Sequence, residues 1–466
     1  MCISLSTLSR PVLYVTFGIL YISNPVNAQS VSRQIVVTQE LHNDSVVRYR
    51  ELIQDLEIKH GPYHDSLSEP LISLGRALNA SGAYPDARET LLRAQQNIRI
   101  NKGIYHPGQI PVVNMLIESS AAAGNWEDVD DRYHQLLWLH ERLYADDNNI
   151  LLEQIRNQVN WHITALNFSH GKQSAEHLLS VSSLYDRGIR ILEEQYAHTD
   201  PVLAQWLYKK ILTDFYIVAA IKKGREPGAE LLESLASHDI RFGYMAASEA
   251  LIDDIYDDGN DVFTQIADIF SMQPGNATSR LAVLSVYQAD WHLLFNKPDK
   301  AMELYGLAGE KLKQAGVTDT AVTEYFNRPV ILPVQELILD FSIHTDVIRR
   351  GQLFLQDRDT ILAIEDVTAN TPFFLGWSPE LPGIPMPVSG LLDFAPPNTE
   401  QQAVAVFNVD ESGWPENIDI LSYYPETFVT RNRAYNTVWA IQFRPVLQEG
   451  KAVRVMDATL SYIIPQ

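Results

Sequence analysis

The residues that first invite a chemical reading are acidic. Asp253, Asp254, Asp257, Asp258 and Asp261 crowd into one short stretch, a density of oxygen donors that would suit calcium. An EF-hand loop requires oxygen ligands at positions 1, 3 and 5, Gly at 6 and Glu at 12. Counted from Asp254, position 3 is Tyr256 and position 12 is Gln265, so the motif fails and the stretch reads as a solvated acidic loop. Histidine offers the alternative metal chemistry. His60 and His64 are four apart, but Gly61-Pro62 lies between them and breaks the helix that would align them. His64 returns as His106, so the pair reads as hydrogen-bonding or packing groups between helices. No Gly-x-Ser-x-Gly elbow, phosphate-binding Gly-x-x-x-x-Gly-Lys-Ser/Thr loop or His-Glu-x-x-His occurs. Asn276-Ala-Thr278 spells a glycosylation acceptor and is set aside as noise. No catalytic, cofactor-binding or metal residue is assigned, and the chain reads as a non-enzyme.

The composition is that of a folded protein. The chain has 466 residues, 46% hydrophobic and 20% charged, enough for two to three domains with real cores. Its net charge of −22 repels phosphate backbones and anionic lipids, which argues against nucleic acid and acidic membranes as partners. The single cysteine, Cys2, sits in an N-terminal segment with the charge Arg10, the apolar run Val12 to Ile22 and then Val26-Asn27-Ala28. These are the n-region, h-region and small-residue cut site of a secretory signal, cleaved after Ala28. The mature chain would then lack disulfides and thiol chemistry altogether. The apolar run is far short of the roughly 20 residues that span a bilayer, and no later stretch reads as a transmembrane helix. The expectation is a soluble protein of a bacterial periplasm or the exterior.

The elements that must position any site are mostly helical. From about Gln39 to Gly351 apolar residues recur at three- and four-residue spacing. Leu71, Leu74, Gly75 and Leu78, followed by Ala87, Leu91 and Ala94, carry the offsets of a tetratricopeptide (TPR) repeat, with Gly82-Ala-Tyr84-Pro85 at the turn. The features return 42 residues on: Gly61, Tyr63 and His64 as Gly103, Tyr105 and His106, Leu74 as Leu116, Gly82 as Gly124, Tyr84 as Trp126, and Leu91 as Tyr133. That period exceeds the usual one by about two helical turns, and it resembles the long repeat of the kinesin-light-chain type. A third, irregular unit is expected across Asp146 to Leu192. A clearer one has Ala289, Trp291 and Leu294 in its first helix, Lys297-Pro298-Asp299 in its turn, and Ala301, Tyr305 and Ala308 in its second. Trp126, Trp138, Trp161, Trp206 and Trp291 fall on these patterns as expected core.

Near Leu353 the texture changes. Leu353-Phe354-Leu355 and Ile361-Leu362-Ala363-Ile364 read as short strands, and Thr371 to Pro397 holds seven prolines, an extended and partly packed linker. Ala403 to Val409 alternates as a half-buried strand, Asp410 to Gly413 turns, and Ile418, Ile420 and Ser422 mark its hairpin partner. A helix is expected from Thr427 to Gln442 with Phe428, Tyr435, Val438 and Trp439 inward, ended by Phe443-Arg444-Pro445. After a turn at Glu449-Gly450, Ala452 to Ile464 reads as one long strand with Met456, Ala458, Leu460, Tyr462 and Ile464 on one side. The order β-β-α-β resembles the C-terminal domain of TonB, an envelope protein that docks onto outer-membrane receptors. The resemblance rests on Phe407-x-Val409, Gly413, Asn417-x-Asp-Ile420-x-Ser422, Phe443-x-Pro445 and Gly450. The Tyr-Pro-x-x-Ala lead-in, membrane anchor and long spacer of that family are absent, so what it implies is a docking fold rather than energy transduction.

The expected organisation is a signal peptide over 1–28, a TPR-like α-α solenoid over 39–351, short strands and a proline-rich linker over 352–398, and a small α+β domain over 399–466. The expected function is a periplasmic or envelope scaffold or adaptor that binds a protein or peptide. The final strand, as a sheet edge, would accept an extended partner. A part in TonB-type outer-membrane transport is the alternative, and an outer-membrane receptor or a second copy of the chain are the partners it implies.

Overall fold

A computed structural model of the chain describes residues 28–166, 169, 171–195, 199–223, 227–235, 244–350, 354–355, 373–375 and 401–464. Residues 1–27 of the expected signal segment, the expected strand Ile361 to Ile364 and all of the proline-rich segment except Phe373–Leu375 lie outside the described residues. The chain forms two compact units, 1–101 and 102–466. The division thus falls inside the helical repeats, whereas the sequence placed its boundaries near 351 and 399.

The first unit holds α1 (Ala28–His60), a 3-10 turn (Asp65–Leu67), α2 (Ser68–Ala80) and most of α3 (Tyr84–Lys102). Gly75 marks the closest approach of α2 and α3, since a Cβ there would stand 2.5 Å from Leu91 Cδ2. Ala87, Leu91 and Ala94 are fully buried behind it. Gly61 and Gly82 end their helices with φ of +88° and +78°, a conformation that side chains rarely adopt.

The second unit begins with the next copy of that pattern. Its helices are α4 (Gln109–Ala122), α5 (Trp126–Leu143), α6 (Asn148–Ala165), α7 (Lys172–Gln195), α8 (Pro201–Lys222), α9 (Gly228–Leu235) and α10 (Tyr244–Ser271). Then come α11 (Ala277–Leu294), α12 (Pro298–Gln314), α13 (Asp319–Phe326) and α14 (Phe341–Arg350). Gly103 and Gly124 repeat the positive φ of Gly61 and Gly82, so the 42-residue period is a period of backbone turns. The irregular third unit is the hairpin of α6 and α7. In the pair α11 and α12, Ala289, Ala301, Tyr305 and Ala308 are all buried. The turn there centres on Asn296, at φ +58°, just ahead of the expected Lys297. Asn276 caps α11 by accepting from Ser279 N at 3.1 Å.

Several expectations are corrected. The five aspartates form no loop: they are exposed along one face of α10. Gly259, within the same stretch, is a helical glycine whose missing side chain lets Trp291 pack against the backbone. Trp161, Trp206 and Trp291 are core, Trp126 is half-buried, and Trp138 is exposed with its ring centroid 5.2 Å from that of Tyr105. His64 bridges elements as expected, its ring stacked on His60 of α1 and its carbonyl accepting from Asn97 Nδ2 of α3 at 3.2 Å, and both His64 and His106 also act within their turns. The Nδ1 of each accepts a backbone N–H two residues on, from Ser66 at 3.2 Å and Gly108 at 3.1 Å.

The helical texture is interrupted by β1 (Val330–Leu332), and the remaining strands explain why. These are β2 (Phe354–Leu355), β3 (Phe373–Leu375), β4 (Gln401–Val409) and β5 (Pro415–Tyr424), then α15 (Phe428–Trp439). They continue with β6 (Gln442–Arg444), β7 (Val446–Gln448), β8 (Lys451–Val453) and β9 (Val455–Ile464). The main sheet runs β2-β9-β4-β5, with β3 also on β9. The final strand is therefore no open edge: β4 pairs along one side, while β2 meets Ala458 and Thr459 and β3 meets Ser461 to Ile463. Central β4 is buried on both faces instead of one. The expected single strand from Ala452 divides into β8 and β9. Asp457, at φ +54°, puts an irregularity into β9 that leaves Met456 60% exposed while Ala458 and Leu460 stay in the core. The facing of Tyr462 and Ile464 lies outside what is described.

Helix α15 keeps Val438 inward as expected but turns its three aromatic residues outward. Thr427 caps it by accepting from Thr430 N at 3.1 Å. From that start the buried stripe is Thr430, Ala434 and Val438, leaving Phe428, Tyr435 and Trp439 exposed. Phe443-Arg444-Pro445, read as a helix terminator, lies in β6 and beyond it. β6 pairs antiparallel with β1, setting Val330 opposite Arg444 and Leu332 opposite Gln442. Arg444, 1% exposed, donates to Asp290 of α11 through Nε at 2.8 Å and Nη2 at 2.6 Å, and Tyr305 OH donates to the same carboxylate at 2.6 Å. Burial opposes the Arg444 charge, and the adjacent carboxylate outweighs it, holding its pKa above the ordinary value. Gln442 Nε2 donates to Leu293 O at 3.0 Å. The C-terminal sheet is thus built into the second unit rather than appended to it.

Candidate functional site

Two features of the second unit combine concavity or clustering with polar chemistry. The first is a cleft of about 400 Å³ between α4, α5 and α6. Its floor is apolar, from Ile110, Ile117, Leu136 and Ile150, because each helix turns one stripe toward its neighbours. Its polar lining comes from one turn further round: Asn114 and Glu118 on α4, Glu153, Gln154 and Asn157 on α6, and His140 on α5. Tyr133 also lines it, and burial pushes its phenol up to about 12, so it remains a protonated donor at neutral pH. Gln154 is 5% exposed and its Nε2 has no hydrogen-bond partner among the described residues. A buried amide donor without a partner costs on the order of 1–3 kcal/mol.

The second feature is a histidine cluster. Asp130 and His134 are four apart on α5 and share a helix face. His162 near the end of α6 and His177 near the start of α7 face each other across that hairpin, Nδ1 to Nδ1 at 2.9 Å. His162 Nδ1 is 3.6 Å from Asp130 Oδ1, and Trp161 Nε1 donates to the same oxygen at 2.6 Å. His162 is 1% exposed and its Nε2 has no partner among the described residues. Burial drives its pKa down to about 3 against the pull of Asp130, and burial lowers His177 likewise. Both rings are neutral at physiological pH.

Apart from Tyr133 and Trp161, which the repeat pattern marked as packing residues, none of these residues was singled out in the sequence, which left partner-binding residues unassigned. The spacing of Asp130 and His134 is a signal on α5, but His162 and His177 join it only once α6 and α7 fold back. The acidic residues and His60 and His64, which did attract attention, form no such centre. The His60 and His64 rings stack at 4.6 Å, and the aspartates face solvent. Among the described residues no helix is long and apolar enough to cross a membrane.

No family model and no curated protein matches the chain at a significant level. Solved structures do. A Podosopora anserina putative kinesin light chain with nearly identical TPR-like repeats is 11% identical and covers 55% of this chain and 99% of its own, at a TM-score of 0.28. BtubC (BKLC) from P. vanneervenii is 10% identical over 60% of this chain and 92% of its own, at 0.27. At such scores nothing about activity or partners follows from the likeness.

Proposed function

We propose that the protein is a non-enzymatic scaffold that binds an extended segment of another polypeptide in the cleft between α4, α5 and α6. The observation that carries this is the unpartnered Gln154 amide in a cleft whose other polar groups are amides, carboxylates, the His140 imidazole and the Tyr133 phenol. Asn114, Gln154 and Asn157 match main-chain donors and acceptors, and Glu118 and Glu153 favour a basic residue in the guest. The leader-like segment ending at Ala28 supports export, so the working location is the bacterial envelope.

A part in TonB-type transport is a second reading, favoured by one observation. Phe407, Val409, Ile420 and Phe443, which carry the resemblance to the TonB C-terminal domain, all belong to one buried core. They support a shared fold; docking through it is the proposal. With β9 flanked on both sides, strand addition would use β5, which pairs only with β4 among the described strands.

Photo-crosslinkers at Asn114 and Asn157 test the first reading, with exposed Asp131 on α5 as the control. Polypeptide adducts at the two cleft positions and not at Asp131 are expected. Adducts at Asp131 alone, or at none of the three, would reject the cleft as the binding site. Crosslinks from β5 that depend on the proton-motive force would favour the transport reading.

A further inference from the structure

We propose that Asp130, His162 and His177 form a binding site for a divalent first-row transition metal ion, with zinc as the natural fit. Their ligand atoms, one from each residue, all lie within 4.8 Å of one another. A tetrahedral zinc with bonds of about 2.0–2.1 Å sets its donors roughly 3.3 Å apart. The separations of 2.9 Å between the two Nδ1 atoms and 3.6 Å from His162 Nδ1 to Asp130 Oδ1 bracket that value. Two imidazoles and one carboxylate are a borderline donor set, suited to zinc, cobalt, nickel or copper and poorly suited to calcium or magnesium. A fourth position stays open to water.

One surrounding hydrogen bond is of the metal-site kind. Trp161 Nε1 donates to Asp130 Oδ1, the kind of outer hydrogen bond that fixes a ligating carboxylate. Trp161 itself is held by Tyr133, stacked at 5.4 Å with ring planes 8° apart. An ion has a way in: His162 is buried, but the side chains of Asp130 and His134 are 32% and 57% exposed, so the cluster opens on the α5 side. His134 stands at that mouth with Nδ1 3.6 Å from Asp130 Oδ2. The ligands come from three helices, so an occupied site would pin the α6–α7 hairpin to α5.

The test uses the full, untagged chain titrated with Co²⁺ and then Zn²⁺. One equivalent of Co²⁺ should produce the visible absorption of a low-symmetry, four-coordinate nitrogen–oxygen site, and Zn²⁺ should abolish it. Zn²⁺ should also raise the melting temperature. Asp130→Asn and His177→Gln, both at half-buried positions, should each weaken binding at least tenfold, with circular dichroism confirming their fold. His60→Gln, a histidine of the first unit and not one of the three ligands, should bind as the parent does. A Co²⁺ spectrum no different from the aqueous ion would overturn the assignment. So would affinity undiminished in both ligand variants, or lost equally in His60→Gln.

Discussion

Replacing Arg444 by Met puts the joint between the C-terminal sheet and the helices to a direct test. The side chains of Arg444 and Asp290 are 1% and 5% exposed, and the two hydrogen bonds between them are 2.8 and 2.6 Å long. Arg444→Met fills most of the same volume but leaves the carboxylate buried with the Tyr305 hydroxyl as its remaining donor from this network. Breaking one half of a buried pair in this way costs about 3–5 kcal/mol, because an uncompensated charge stays out of water. A surface pair such as Lys313 with Asp319, whose side chains are 53% and 80% exposed, would yield no more than about 1 kcal/mol on the same treatment. The paired variant Arg444→Met with Asp290→Leu removes both charges and should recover most of the loss, since apolar replacement of a whole buried pair is often near neutral. Urea unfolding of the full chain, followed by helix ellipticity, reads Arg444→Met, Asp290→Leu, their combination and the surface control. A loss below about 1 kcal/mol for Arg444→Met, or a double variant as weak as the two singles added together, would refute the reasoning. The same logic predicts that the helices lose part of their packing when residues 399–466 are deleted. That deletion strips the guanidinium from Asp290 and β6 from β1, and should cost α11 to α13 their protection from amide exchange.

Gly75→Leu should destabilise by about 1–3 kcal/mol in a thermal melt, because Leu91 already occupies the space its side chain would need. Glu89→Lys, exposed on α3, should be nearly neutral, and an unchanged melt for Gly75→Leu would mean the α2–α3 packing is misplaced. His344, fully buried, has its pKa lowered to about 3, by burial first and then by Arg444. A folded value below the unfolded one makes the unfolded chain bind the extra proton. The stability is therefore complete above about pH 6.5 and is lost as pH falls toward 3. At pH 5 this single residue should cost roughly 2 kcal/mol, and His344→Gln should flatten the dependence by about one proton between pH 6 and 4.

How much of this was legible in the chain varies from element to element. The repeat was, because it is written in local terms: Gly61, Gly82, Gly103 and Gly124 stop helices by their own backbone freedom, and small residues such as Ala87 and Ala94 announce helix contact. The hairpin from β4 to β5 was also visible, since alternation and the Asp410 to Gly413 turn are local as well. The facing of α15 was not. Aromatic residues mark a core-facing stripe only on average, and the cap at Thr427 places Ala434 rather than Tyr435 against the sheet.

The candidate sites divide the same way. Sequence by itself determined the helix pairs, their period, the change of texture near Leu353 and the absence of familiar catalytic motifs, all of which depend on residues a few positions apart. Only the tertiary structure decided what distant residues do together. It brought Arg444 onto Asp290, laid β1 beside β6, closed β9 on both sides, and gathered Asp130, His162 and His177 from three helices. None of these carries a local signature. A lone Arg, Asp or His is compatible with many surroundings, and its partner is chosen by the path of the backbone between them.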